Sequence, residues 1–188
     1  VVGGGISGIM AAKTAAKNNL NTVLIDDKNN LGGTTLFQQN ECFKINNSYS
    51  NVWLTKEIES LDSIKNLTIK KRTTLAAYHS YNYLLARENL TDHLDLNERK
   101  DKIRQRLWKI RAKKVIIATG AMERPLIFNN NDRPGIILSY SIKKYIDYFG
   151  VKCGQKISLF TNNDSAYETA ISLSNSGVSV NSVVDIRD

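Results

Sequence analysis

Gly3-Gly4-Gly5-Ile6-Ser7-Gly8 fits the pattern G-x-G-x-x-G at Gly3, Gly5 and Gly8. Each glycine has a reason. Gly3 makes a tight turn, Gly5 lets backbone amides approach a pyrophosphate, and Gly8 lets a helix lie close to a sheet. A helix opening at this point offers free N–H groups and a partial positive charge to phosphates. Asp26 follows 18 residues after Gly8, near the spacing of about 20 expected of a ribose-binding acid. A carboxylate there accepts hydrogen bonds from ribose hydroxyls and repels a 2′-phosphate, which favours NAD or FAD over NADP. Asp27 and Lys28 are adjacent candidates that simple surface exposure explains equally well. A further piece is "VIIATGA", where small residues end an apolar run and bring Thr119 and Gly120 to the carboxyl edge of a sheet. Ligands of doubly wound sheets bind at that edge.

Little else in the sequence could do chemistry. No nucleophile–base pair, metal cluster or carboxylate dyad emerges. Glu123-Arg124 and Asp132-Arg133 read as loop ion pairs. Cys42 and Cys153 have no CxxC partner, and His79 and His93 lack ligand spacing. Two idle or buried thiols fit a reducing, cytoplasmic setting. In a cofactor enzyme the cofactor carries the hard chemistry, so an oxidoreductase stays compatible with this inventory.

The elements that must position these residues are legible in outline. Val1-Val2 end a strand. Ile9, Ala12, Ala15 and Ala16 recur at helical spacing until Asn18-Asn19, and Thr22 to Ile25 form a short apolar strand. This βαβ unit requires a parallel strand pair. "NNLGGTTLFQ" reads as a loop, and residues 41–54 show no clear period. "LTKEIESLDSIKN" reads as an amphipathic helix with Ile58, Leu61 and Ile64 on one face. "LTIKKRTTLAAYHSYNYLLAREN" and "RLWKIRA" alternate as strands, and Val115 to Ala118 read as an interior strand. "SYSIKKYIDYFG" predicts a helix stopped by Gly150. A second βαβ unit then begins. "KISLF" is its first strand, and its helix carries a capping box at Ser165 and Glu168 and ends at Gly177. The last strand is "VSVNSVVDIRD". Its turn, "TNNDSAYE", carries side chains where a phosphate would need bare amides, so a structural unit is expected there. The fold class expected is α/β: a Rossmann-like dinucleotide-binding domain over 1–150, with a parallel sheet and an antiparallel β insertion. A partial second Rossmann-like domain over 151–188 follows, as in two-dinucleotide-domain flavoproteins.

The 188 residues are 41% hydrophobic and 23% charged, within the globular range. No apolar run of about 18 residues exists, so no membrane helix is expected, and no signal-peptide pattern is seen. The net charge of +8 concentrates at Arg99 to Lys114. There Leu107, Lys109 and Arg111 alternate with Trp108, Ile110 and Ala112, the pattern of a strand with one wet face. That reading needs no nucleic acid. An acidic partner subunit is the alternative use of the stretch.

"ATGAMERPLIFNNNDRPGI", "FTNNDSAYETA", "RTTLAAYHSYNYL" and "RLWKIRAKKVIIATG" together resemble the α subunit of heterotetrameric sarcosine oxidase, over nearly the whole chain. The resemblance implies the NAD-binding part of a long subunit, with NAD where flavoprotein relatives hold FAD. It implies that Ser7 lies in the glycine turn and that Asp26, Asp27 and Lys28 meet the adenosine end. It places Gly33 and Thr34 at the double glycine and a backbone contact to adenine at Leu75. It further implies oxidative demethylation of sarcosine to glycine with O2, giving H2O2, with the one-carbon unit passed to tetrahydrofolate. The flavin chemistry would occur on a partner subunit of the hetero-oligomer, leaving no substrate-catalytic residue here. Family members carry a leading segment and a later folate-binding region, so an internal stretch of a longer subunit is expected. Two other readings stand beside this one: a self-sufficient FAD-dependent amine or pyridine-nucleotide oxidoreductase, and a basic binding module without a redox role.

Overall fold

The computed structural model describes residues 1–37 and 44–187. Their contacts divide the chain into two compact units. One comprises Val1–Thr35 and Lys44–Gly120. The other comprises Ala121–Asp188 with the described residues of Leu36–Phe43.

In the first unit, helix α1 (Ile6–Lys17) leads to strand β1 (Thr22–Ile25). A short hairpin follows, β2 (Lys44–Ile45) and β3 (Ser48–Tyr49), and then α2 (Ser50–Leu61). Strand β4 (Leu67–Lys70) pairs in parallel with β1. Strands β5 (Thr73–His79) and β6 (Tyr83–Asn89), the short helix α3 (Leu96–Arg99) and strand β7 (Gln105–Arg111) complete the unit. On the other side of β1 the Val2 backbone bridges in parallel both Ile25 and Ile117. The parallel order is therefore β4, β1, Val1–Gly3, Ile116–Ala118. The β5–β6–β7 meander is antiparallel, with a bulge between Leu75 and Ala77.

Small residues bring α1 close to the sheet. Gly8, Ile9, Ala12 and Ala16 are its buried face, and Ile9 and Leu24 are fully enclosed, each contributing about 1.5–3 kcal/mol of burial. The Asn66 amide donates to the Ala16 and Leu20 carbonyls and so ties off the end of α1. Asn19 takes a left-handed φ of 60° there.

Several expectations are corrected. Val115–Ala118 is not interior: Ile116 and Ile117 are 44% and 53% exposed. The segment bonds Val2 on one side, and apolar composition alone cannot bury a strand. Helix α2 begins at Ser50, four residues before the expected start. The expected loop after Asn30 tightens into a 3₁₀ turn at Gly33–Phe37. Residues 41–43, with Cys42, lie outside the described residues, as does Gln38.

In the second unit, α4 (Ser139–Asp147), β8 (Lys156–Thr161), α5 (Ser165–Asn175) and β9 (Ser179–Asp185) form a helix and a βαβ turn, with β8 and β9 parallel. Ile142 and Ile146 of α4 share one core with Leu159, Leu173 and Val178. Inside that contact the Lys143 ammonium meets the Asp147 carboxylate at 3.1 Å, and the Ser172 hydroxyl donates to the same carboxylate. Gly150 (φ 66°) and Gly177 (φ 73°) close the two helices in left-handed turns, as expected. The capping box does not form. Asp164 is the N-cap, and the Ser165 amide and hydroxyl both donate to the Asn163 side-chain oxygen instead of forming the expected pair with Glu168. The two loop ion pairs are also absent among the described residues: the Glu123 carboxylate instead accepts the Tyr140 N–H in the first turn of α4. Cys153 is exposed and free.

Candidate functional site

The glycine turn joins the end of one strand to the start of α1, and its crowding differs at every glycine. A Cβ added to Gly3 (φ 104°) would lie 2.2 Å from the Ala118 carbonyl oxygen, and one added to Gly8 would lie 1.7 Å from the Gly3 carbonyl oxygen. A Cβ on Gly4 would lie 2.5 Å from the Leu31 side chain and 2.8 Å from the Asp26 carboxylate. At Gly5 the nearest atom would be the Gly33 Cα at 4.0 Å. Gly3, Gly4 and Gly8 are thus small because the protein packs on itself. Gly5 is small beside open space. Gly5 is also the N-cap of α1 and carries no capping side chain, and the first turn of the helix holds no acid. First-turn N–H groups have no intrahelical acceptor, so this end of α1 suits an anion.

Asp26 sits at the end of β1, half-buried. Its Oδ2 accepts the Gly4 N–H at 2.5 Å and its Oδ1 accepts the Lys28 N–H at 2.8 Å. A carboxylate has about four acceptor positions, so two remain for hydroxyls. Asp27 and Lys28 are exposed and pair with each other at 2.7 Å. The double glycine completes the cradle. The Gly32 N–H donates to the Gly4 carbonyl at 2.7 Å, Gly32 has a φ of 130°, and a Cβ on Gly33 would lie 3.0 Å from the Gly5 Cα.

Of the twelve residues singled out by sequence, the structure brings Gly3, Gly5, Gly8, Asp26, Gly33 and Thr119 into one neighbourhood. Thr119 follows Ala118, whose N–H donates to the Val2 carbonyl at 2.7 Å, and its own N is among the atoms nearest a Cβ on Gly3. Gly120 (φ 75°) is exposed beyond it with nothing within 4 Å of an added Cβ. Asp27 and Lys28 continue the chain from Asp26 at the rim. Ser7 and Thr34 are exposed, one in the first turn of α1 and the other in the 3₁₀ turn. The start of β5 is tied to β1 by the Thr73 N–H to the Asp26 carbonyl and the Arg72 N–H to the Lys28 carbonyl. Leu75 lies further along that strand, opposite Ala86. Gly4 and Gly32 were not singled out, although both are built into the turn. Three glycines in a row were the available signal for Gly4.

The matching turn of the second unit is filled by its own side chains. The Thr161 hydroxyl and the Asn163 backbone bond each other, and Asn163 engages Ser165. Arg187 bridges Asp164, at the start of α5, to Asp185, at the end of β9, each at 2.7 Å. The Arg187 hydrogen bonds hold the Asp185 carboxyl well below the usual carboxylate range, and the Asp185 bond pushes the Tyr167 phenol upward. A cavity of about 1000 Å³ in this unit is lined by Leu126, Phe128, Ile142, Thr161 and Asn163 among others. Among the described residues no group of three or more His, Cys, Asp or Glu is placed to hold a metal ion, and no helix is long and apolar enough to cross a membrane.

Residues 1–187 match the family described as pyridine nucleotide-disulphide oxidoreductase. Over all of its length the chain is 39% identical to "Sarcosine oxidase subunit alpha" of Corynebacterium sp. (strain U-96) and 33% identical to the protein of that name from Rhizobium meliloti (strain 1021). It spans 19% and 18% of those two proteins. In structure it resembles L-proline dehydrogenase from P. horikoshii, with a TM-score of 0.74 and 25% identity, covering 100% of this chain and 35% of that one. Lactococcus lactis thioredoxin reductase shares the fold, with a TM-score of 0.60 and 20% identity, covering 97% of this chain and 53% of that one. The open glycine, the uncapped helix and the strand-end carboxylate lie in a chain that matches one family from end to end: the protein belongs to the pyridine nucleotide-disulphide oxidoreductases.

Proposed function

We propose that this chain is the NAD-binding portion of the alpha subunit of a sarcosine oxidase-like complex. The observation that carries the nucleotide site is Gly5: a Cβ there would occupy space that no atom of the protein uses, in front of an uncapped helix. The end-to-end similarity to proteins named sarcosine oxidase subunit alpha supports the choice of complex. In this reading the diphosphate lies against the Gly5 and Ser7 backbone at the start of α1, the ribose hydroxyls bond the free acceptor positions of Asp26, and Asp27 and Lys28 border the adenosine. Gly33, Thr34, Leu75, Thr119 and Gly120 form the remaining walls. NAD, when bound, supplies a nicotinamide capable of hydride exchange. The residues of this chain bind and orient it, and none is assigned to substrate chemistry. The complex would oxidise sarcosine to glycine with O2, releasing H2O2 and passing the one-carbon unit to tetrahydrofolate. Its flavin chemistry would lie on a partner subunit, in the cytoplasm.

The test is to express the complete subunit without partners, denature it, and identify the released nucleotide by mass and absorbance. NAD without flavin is expected. FAD would overturn the assignment and favour a self-sufficient FAD-dependent oxidoreductase.

A further inference from the structure

The register of the β6–β7 pair sets Tyr83 opposite Arg111, Leu85 opposite Lys109 and Arg87 opposite Leu107. Directly opposed residues project to the same side of a sheet, so these six share one face. Arg87, Leu107, Lys109 and Arg111 are exposed there, and the Arg111 guanidinium lies 5.4 Å from the Tyr83 ring centroid. The other face carries buried Leu84 and Ala86. It also carries Glu88, the one acidic residue of the three strands, which accepts the Trp108 indole N–H at 2.6 Å and faces Arg106 at 3.7 Å. The exposed face therefore holds three cations and no acid. Among the described residues, none of the three cations has a carboxylate within 4.0 Å. Soluble surfaces ordinarily mix both signs, and like charges on neighbouring sheet positions repel one another.

The turn closing β5 and β6 adds an independent observation. Tyr81 is 87% exposed with a φ of 61°, and Asn82 follows at 54°. A bulky residue in the left-handed region is an outlier, and such strain collects where a ligand or partner is engaged. The turn is braced: the Tyr78 hydroxyl donates to the Asn82 side-chain oxygen at 2.6 Å, and the Asn82 amide donates to the Lys113 carbonyl at 3.0 Å. The register sets this turn at the same end of the sheet as the Tyr83–Arg111 pair, and tyrosine and arginine are both enriched at interface hot spots.

We propose that this face docks an acidic surface of a partner subunit, with Arg87, Lys109 and Arg111 meeting its carboxylates and Tyr81 anchoring in an apolar pocket. The proposal rests on the reading of the chain as part of a multi-subunit oxidase. A polypeptide is favoured over nucleic acid because Leu85 and Leu107 interleave with the cations. A backbone-tracking nucleic-acid site would instead line a groove with charge.

The test uses the complete subunit co-expressed with the other subunits of the oxidase. Arg87, Lys109 and Arg111 are replaced together by Glu, and in a second variant together by Gln, which keeps the sheet neutral if reversal impairs folding. Tyr81→Ala is made separately. The Glu variant is expected to weaken association by about tenfold or more, and the Gln variant to flatten its salt dependence. Tyr81→Ala is expected to speed dissociation about tenfold. Unchanged association in folded variants overturns the proposal, as does a parent subunit that does not associate. Retained association with lost binding to a single-stranded RNA oligonucleotide or to phosphatidylserine vesicles also overturns it. The nucleotide released from the same preparations reads the cofactor assignment separately, so a wrong docking face and a wrong cofactor are told apart.

Discussion

Gly5 and Gly8 make a paired test, because the structure gives them opposite reasons for being small. Gly8→Ala puts a methyl 1.7 Å from the Gly3 carbonyl oxygen. That oxygen cannot yield cheaply, since Gly3 is itself wedged against Ala118. Overpacking of this kind costs about 3 kcal/mol, and alanine returns about 1 kcal/mol of helix propensity. The net loss of about 2 kcal/mol corresponds to roughly 30-fold easier opening. Gly5→Ala meets nothing closer than 4.0 Å and has a φ of −71° that alanine accepts. The fold should change by no more than about 1 kcal/mol, the stiffer unfolded chain offsetting alanine's poorer fit at the N-cap. The new methyl would instead stand where the diphosphate is proposed to lie, weakening NAD by about tenfold or more, which is about 1.4 kcal/mol. Amide hydrogen exchange across α1 and calorimetric titration with NAD in the complete subunit separate the two effects. The reasoning is refuted if Gly8→Ala leaves α1 exchange unchanged, or if Gly5→Ala binds NAD as the parent does.

Asp26→Ala should weaken NAD binding by about 1.5–3 kcal/mol through loss of charge-assisted hydrogen bonds, and Asp26→Asn should retain the Gly4 contact while still losing affinity. Calorimetry showing parental affinity in both variants would remove the ribose role. Asp185 should stay ionised well below the pH at which an ordinary carboxylate protonates, because Arg187 bonds its charged form. Since the folded pKa is depressed, whatever the bridge contributes is present above about pH 4 and is lost as the pH falls through the folded value. A carboxyl NMR titration of Arg187→Gln should show Asp185 back near its usual range, and an unmoved titration would assign the shift to another cause.

The parts of the site set by local sterics were legible in the sequence. Gly3, Gly5 and Gly8 act within a six-residue turn, and the short β1 that Asp26 follows is legible from its apolar residues. The wet face of β7 was also legible, because period-two alternation is a local signal. What depended on distant residues was not. Gly4 is required by Leu31 and Asp26, which reach it only in the folded turn. The bond that Asp26 accepts from the Gly4 amide was hidden for the same reason. Ile116 and Ile117 read as interior because their composition is apolar, but burial is decided by what packs over a strand. At Ser165 the choice between Glu168 and Asn163 was a competition between two local bonds, and Asn163 took both the amide and the hydroxyl.

The parallel register between Val2 and Ile117 joins residues more than a hundred positions apart. Two backbone bonds hold it, the Val2 N–H to the Ile116 carbonyl and the Ala118 N–H to the Val2 carbonyl. Closing so long a loop costs roughly 4 kcal/mol of chain entropy, beyond a constant term, against the mostly local pairings of β5, β6 and β7. The strand that leads into Thr119 and Gly120 should therefore form after the β5–β6–β7 meander and open before it. In pulse-labelling during refolding, the Ala118 amide should gain protection after the amides of β6, and simultaneous protection would contradict that order.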